Sequence, residues 1–122
     1  MKRILVVEDQ EDNRQILRDL LNSAGYAILE AGDGAAGIAV ATAEKPDLIL
    51  MDIQLPIMDG YEATRRIKAD PALAKIPIIV VTSYALSGDE GKAKAAGCDA
   101  YVTKPYSPRQ LLAKVREFLP PQ

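Results

Sequence analysis

The sequence predicts a doubly wound α/β fold, five parallel strands in one sheet with helices packed on both faces. Two observations carry this. Short apolar runs alternate with amphipathic stretches five times along 122 residues, the order that a parallel sheet with crossover helices requires. The runs themselves, such as "ILVV" and "PIIVV", are rich in β-branched residues, as strands buried on both faces are.

The elements follow in order. Residues 4–7 form the first strand. Ile16, Leu17, Leu20, Leu21 and Ala24 then share one helical face, with Gly25 at the C-terminal cap. "AILEA" (27–31) is a weaker, more exposed strand, and the alanine-rich 34–44 a helix that stops ahead of Pro46. Residues 48–51 are the third strand, and a short helix covers 60–69 after Asp59-Gly60. "PIIVV" (77–81) is the fourth strand, with a helix near 88–96 behind it, and "AYVT" (100–103) is the fifth. The last helix starts at "SPRQ", with Ser107 as N-cap, Pro108 at the first helical position and Gln110 three residues on. Its apolar stripe is Leu111, Leu112, Val115, Phe118 and Leu119.

Composition removes several function classes. A net charge of -2 argues against a nucleic-acid surface, which normally needs a basic excess. No apolar run approaches a membrane span, and the start "MKRILVVED" is not a signal peptide. Cys98, the single cysteine, can form no internal disulfide, so a reducing cytoplasm is expected. It follows a turn at 95–97 and is expected to be a small buried residue. The absence of histidine removes imidazole bases and His-ligated metals. The basic residues of "KAKAAG" and "RQLLAKVREF" read as solvated helix faces.

Parallel sheets bind ligands at the C-terminal ends of their strands. Glu8 and Asp9 follow the first strand, Asp52 the third, Thr82 and Ser83 the fourth, Lys104 and Pro105 the fifth. Any one of these could simply mark a strand's exit into solvent. Together they place three carboxylates, hydroxyls and an ammonium on one rim. Clustered acids repel unless a cation is present. All-oxygen ligands select a hard ion, Mg²⁺ first and Mn²⁺ second. A carboxylate beside such an ion and a lysine can attack phosphorus to give an aspartyl phosphate. Burial of Leu48–Met51 then has a purpose: it fixes the backbone that aims Asp52.

The acidic pair Glu8-Asp9, "MDIQLPIMDG" with Asp52, "VTSYA" with Thr82 and "TKP" with Lys104 resemble the receiver domain of two-component signalling, the CheY-like fold, over residues 3–119. "EDN" and "ILMDIQLP" are similar to single-domain receivers and to receivers attached to hybrid kinases. The resemblance implies strand order 2-1-3-4-5 and one receiver domain over residues 1–122, with no output domain. It makes Asp52 the phosphoacceptor, and Asp9, Asp52 and the Gln54 backbone carbonyl ligands of Mg²⁺, with Glu8 acting through water. Many members have Asp where this chain has Glu8; a water-mediated ligand tolerates the extra methylene.

The resemblance further implies that Thr82 and Lys104 hold the phosphoryl oxygens and that Lys104-Pro105 is cis. Tyr101 would turn inward on activation, although a half-buried strand tyrosine is its ordinary reading. Gln54 and Tyr84 would govern how fast water reaches the phosphoaspartate, Tyr84 being equally readable as a loop aromatic packing locally. Small Ser83 leaves the acceptor accessible. The implied partners are a sensor histidine kinase or histidine phosphotransfer protein, docking beside the first helix near Ile16 and Leu17, and a downstream protein. A monomer or weak dimer is expected. The protein would be no enzyme beyond its own phosphorylation and slow dephosphorylation.

Two rivals differ at particular residues. A haloacid-dehalogenase-type phosphatase wants a second Asp two residues after its nucleophile, and Gln54 stands there. A flavodoxin-like module wants a hydroxyl- and glycine-rich phosphate loop where this chain has the acidic "EDQEDN".

Overall fold

A computed structural model of the chain describes residues 1–82 and 89–120, with 89 and 90 described in their backbone only. The elements are β1 (Arg3–Val7), α1 (Glu11–Ser23), β2 (Ala27–Ala31), α2 (Gly34–Glu44), β3 (Leu48–Asp52), α3 (Gly60–Ala69), β4 (Ile78–Thr82), α4 (Asp89–Ala96), β5 (Ala100–Thr103) and α5 (Pro108–Phe118). All strand pairs are parallel, in the order β2-β1-β3-β4-β5. β2 is an edge strand, and accordingly only Ala31 of it is fully buried.

Alternation along the strands builds a core on each face. Leu5, Val7, Ile49, Met51, Ile78 and Val80 point towards Ala41 of α2, Ala63 and Ile67 of α3 and Ala93 of α4. Ile4, Val6, Leu48, Leu50, Ile79 and Val102 face Leu17 and Leu21 of α1 and Leu111 and Val115 of α5. α5 starts with the expected capping box: the Ser107 hydroxyl accepts from Gln110 N, and Ser107 N donates to the Gln110 side chain. Gly25, at φ 96°, supplies the left-handed residue that follows α1.

Three sequence expectations are corrected. β4 begins at Ile78, not at 77, because Pro77 has no N–H to donate; its carbonyl still accepts from Ile49 N. Ile16 is not part of the buried stripe: Leu17 and Leu21 are buried, while Ile16 is 62% exposed. Successive helical residues lie 100° apart, so a stripe running through 17, 21 and 24 leaves 16 at its margin. Cys98 is half-buried, packed against the α2/α3/α4 core.

The β3–α3 loop is held tightly. A Cβ on Gly60 would lie 2.1 Å from the Asp52 carbonyl oxygen, so only glycine lets α3 start against the end of β3. Within the loop, Met58 N donates to Pro56 O (2.7 Å) around Ile57, whose φ is 70°. This is the positive-φ γ-turn, which is rare and strained, and a β-branched residue makes it more so. Ile57 is 82% exposed and has little packing to lose. Ile57→Asn should therefore stabilise the protein by about 1 kcal/mol. A thermal midpoint unchanged or lowered by the substitution would refute that strain.

Candidate functional site

The registers bring the strand tips together. β1 pairs with β3 up to Val7↔Met51, so Glu8 and Asp52 are the next residues on adjacent strands. Thr82 closes β4 opposite Thr103, and Lys104 N donates to Thr82 O (2.7 Å).

Glu8 is only 3% exposed, and Glu8 N donates to Ala31 O. Its Oε1 accepts from Gln10 N (3.2 Å) and Asn13 Nδ2 (3.3 Å). The Glu8 carbonyl accepts from Arg14 Nη1 (2.7 Å), and Arg14 is also ion-paired with Glu11 and Glu30. Asp52, 6% exposed, accepts from Gln54 N at Oδ1 (3.3 Å) and from Lys104 Nζ at Oδ2 (3.4 Å). Lys104 Nζ also lies 3.7 Å from Glu8 Oε2. Asp9 is less buried than either, and carboxylate oxygens of Glu8, Asp9 and Asp52 all lie within 4.8 Å of one another.

Burial, reinforced by Asp52, pushes the Glu8 carboxyl above its usual range, against the smaller downward pull of Lys104 and Asn13. Three carboxylates around one ammonium are short of positive charge, and every acidic donor is a hard oxygen. That donor set fits Mg²⁺, with Mn²⁺ as the alternative.

The site opens into a cavity of about 290 Å³ whose lining includes Asn13, Ile16, Leu17, Lys104, Pro105 and Tyr106. The Lys104-Pro105 bond is cis. Thr82 is fully buried, and Tyr101 is half-buried against the α2/α3/α4 core. The structure thus gathers Glu8, Asp9, Asp52 and Lys104, with Thr82 at the neighbouring tip. Tyr101 lies further back on β5. Ser83 and Tyr84 fall outside the described residues.

Sequence reasoning missed Asn13 and Tyr106. Tyr106 lines the same cavity as Glu8 and Asp52, and burial raises its hydroxyl above the usual range, with the two acids adding to the shift. The position right after Lys104-Pro105 was its available signal. Asn13 lies in the first turn of α1, from which its Nδ2 reaches back to Glu8 Oε1.

The family model for the response regulator receiver domain matches residues 4–116. The polar-differentiation response regulator DivK of Brucella anthropi is 40% identical over 118 residues, covering 97% of this chain and 96% of that protein. Among solved structures, the receiver domain of a sensor histidine kinase from Pseudomonas aeruginosa, with a magnesium ion coordinated in its active site cleft, superposes at a TM-score of 0.90 with 36% identity; 97% of each chain is covered. The chemotaxis protein CheY4 of Vibrio cholerae superposes at 0.91 with 28% identity, covering 97% of this chain and 98% of that one. The phosphatase and flavin readings fall away: the rim of acids and lysine at the ends of β1, β3 and β5 belongs to a chain that is a member of the response regulator receiver domain family.

Proposed function

We propose that Asp52 accepts a phosphoryl group from a phosphohistidine, carried by a sensor histidine kinase or a histidine phosphotransfer protein, and that the modified site changes a partner-binding surface. The carrying observation is Lys104 Nζ, which reaches both Asp52 (3.4 Å) and Glu8 (3.7 Å). An Asp52 oxygen attacks phosphorus, an O–P bond forms as the N–P bond breaks, and the electron pair leaves with the donor imidazole. Mg²⁺, held by Asp9, Asp52 and the Gln54 carbonyl with Glu8 in support, would neutralise charge on the transferred group. Lys104 meets that charge from the β5 side, and the Thr82 hydroxyl donates to a phosphoryl oxygen. Gln54 and Tyr84, two residues beyond Asp52 and Thr82, set how readily water reaches the phosphoaspartate.

The donor docks over the cavity beside α1, where exposed Ile16 offers an apolar contact. Such exchange suits a cytoplasmic setting, which Cys98 as a free thiol also fits. No helix among the described residues is long and apolar enough to cross a membrane. The chain's own catalysis is confined to its phosphorylation and slow dephosphorylation.

Thr82 begins the connection to α4 and Lys104 ends β5, so the phosphoryl group is reported to the α4–β5–α5 face. Drawing Thr82 inward makes room for Tyr101, giving two discrete packings. A coupling of about 1–3 kcal/mol corresponds to a roughly 5–150-fold change in partner affinity. Beryllofluoride with Mg²⁺ should shift amide signals near Tyr101 and Ser107 as well as around Asp52. Lys104→Ala should keep the fold and lose the distant shifts; Thr82→Ala should do so more mildly. Shifts confined to the shell of Asp52 in the unmutated protein would reject the switch.

A further inference from the structure

We propose that Asn13 is a positioning residue for the metal site, holding the long Glu8 side chain so that its carboxylate faces the divalent cation. The inference rests on the Mg²⁺ reading above. A glutamate has one more rotatable bond than an aspartate, so its carboxylate has more places to go. Here that freedom is removed from two sides. Oε1 accepts from Asn13 Nδ2 (3.3 Å) and Gln10 N (3.2 Å), while Oε2 is turned to the site, 3.7 Å from Lys104 Nζ.

The main chain beneath is fixed separately, by Arg14 Nη1 donating to the Glu8 carbonyl (2.7 Å). Neighbouring residues of α1 therefore have separate roles, Arg14 holding the backbone of Glu8 and Asn13 holding its carboxylate. Although Asn13 is exposed on α1, it lines the cavity beside Lys104 and Tyr106, on the rim of the site. Partners of this kind typically change metal affinity by 10–100-fold when removed.

Magnesium affinity of the full chain, measured by calorimetry or by amide-shift titration, tests the assignment. Asn13→Ala should weaken Mg²⁺ binding about tenfold, the lower end for an outer-shell partner because Gln10 N still holds Oε1. In a Glu8→Ala background, adding Asn13→Ala should change nothing further. Glu8→Asp, with its shorter side chain, should shrink the cost of losing Asn13. An unaltered affinity in Asn13→Ala, or a loss just as large without the Glu8 carboxylate, overturns the positioning role while leaving the Mg²⁺ reading intact. Failure of the unmutated protein to bind Mg²⁺ removes both.

Discussion

Asp52→Asn should abolish phosphoryl incorporation from acetyl phosphate, read as the absence of the added mass on the intact protein. The effect is all-or-none because the amide has no anionic oxygen to offer phosphorus, and no second acid shares Asp52's situation. Glu8 is equally buried, but its Oε1 is engaged by Gln10 and Asn13, whereas Asp52 meets the nearer approach of Lys104 at 3.4 Å. Asp9 has no lysine contact among the described ion pairs. The substitution is nearly isosteric and should leave the fold intact, so the loss can be read as chemistry. Incorporation at a yield close to that of the unmutated protein, in acid-labile form, would move the acceptor elsewhere.

Chelation of divalent metal should stop the same reaction. Without a cation, an incoming phosphoryl group adds negative charge to three carboxylates that share one ammonium. Glu8→Ala should weaken Mg²⁺ binding by roughly 10–100-fold, the range for a residue that supports a ligand, and Asp9→Ala by more. Equal losses would contradict the division of roles between the two acids. The metal-free protein should show the converse in stability. Burial and Asp52 raise the Glu8 pKa, so the folded state holds this proton to higher pH than the unfolded state does. The ionised carboxylate therefore costs stability in full above the raised pKa, and the cost fades as pH falls through it. In chelator at neutral pH, Glu8→Gln should melt higher than the unmutated protein, by about 4 °C for each kcal/mol relieved. That gap should narrow in acid, and added Mg²⁺ should reverse it. A Glu8→Gln variant that melts lower in chelator at neutral pH would show that Glu8 stabilises the fold directly.

Much of this was legible in one dimension. The alternation of apolar runs with amphipathic stretches is a local property of the chain, and burial of a strand on both faces leaves a signature in four or five residues. The α5 capping box is equally local: Ser107, Pro108 and Gln110 lie within a single turn. The site was visible for a related reason. In a parallel sheet every strand points the same way, so the residues that follow the apolar runs must meet at one end whatever the helices do.

The remainder depended on neighbours distant in sequence. Whether Ile16 is core or rim turns on how α1 is rotated over β1 and β3, and Leu17 and Leu21 decide that rotation by packing against strand residues such as Ile4 and Leu48. Ile57 is held at positive φ by a loop clamped between Pro56 and Gly60, where a close approach to the Asp52 carbonyl leaves the backbone little choice. Asn13 and Tyr106 enter the site only because α1 and the turn into α5 lie on the same face of the sheet, beside the strand ends. The sequence by itself determined which residues could do chemistry, since side-chain type and strand end are written locally. Only the tertiary structure decided which of them are held and by what, because hydrogen-bond distance and burial depend on how separate elements pack.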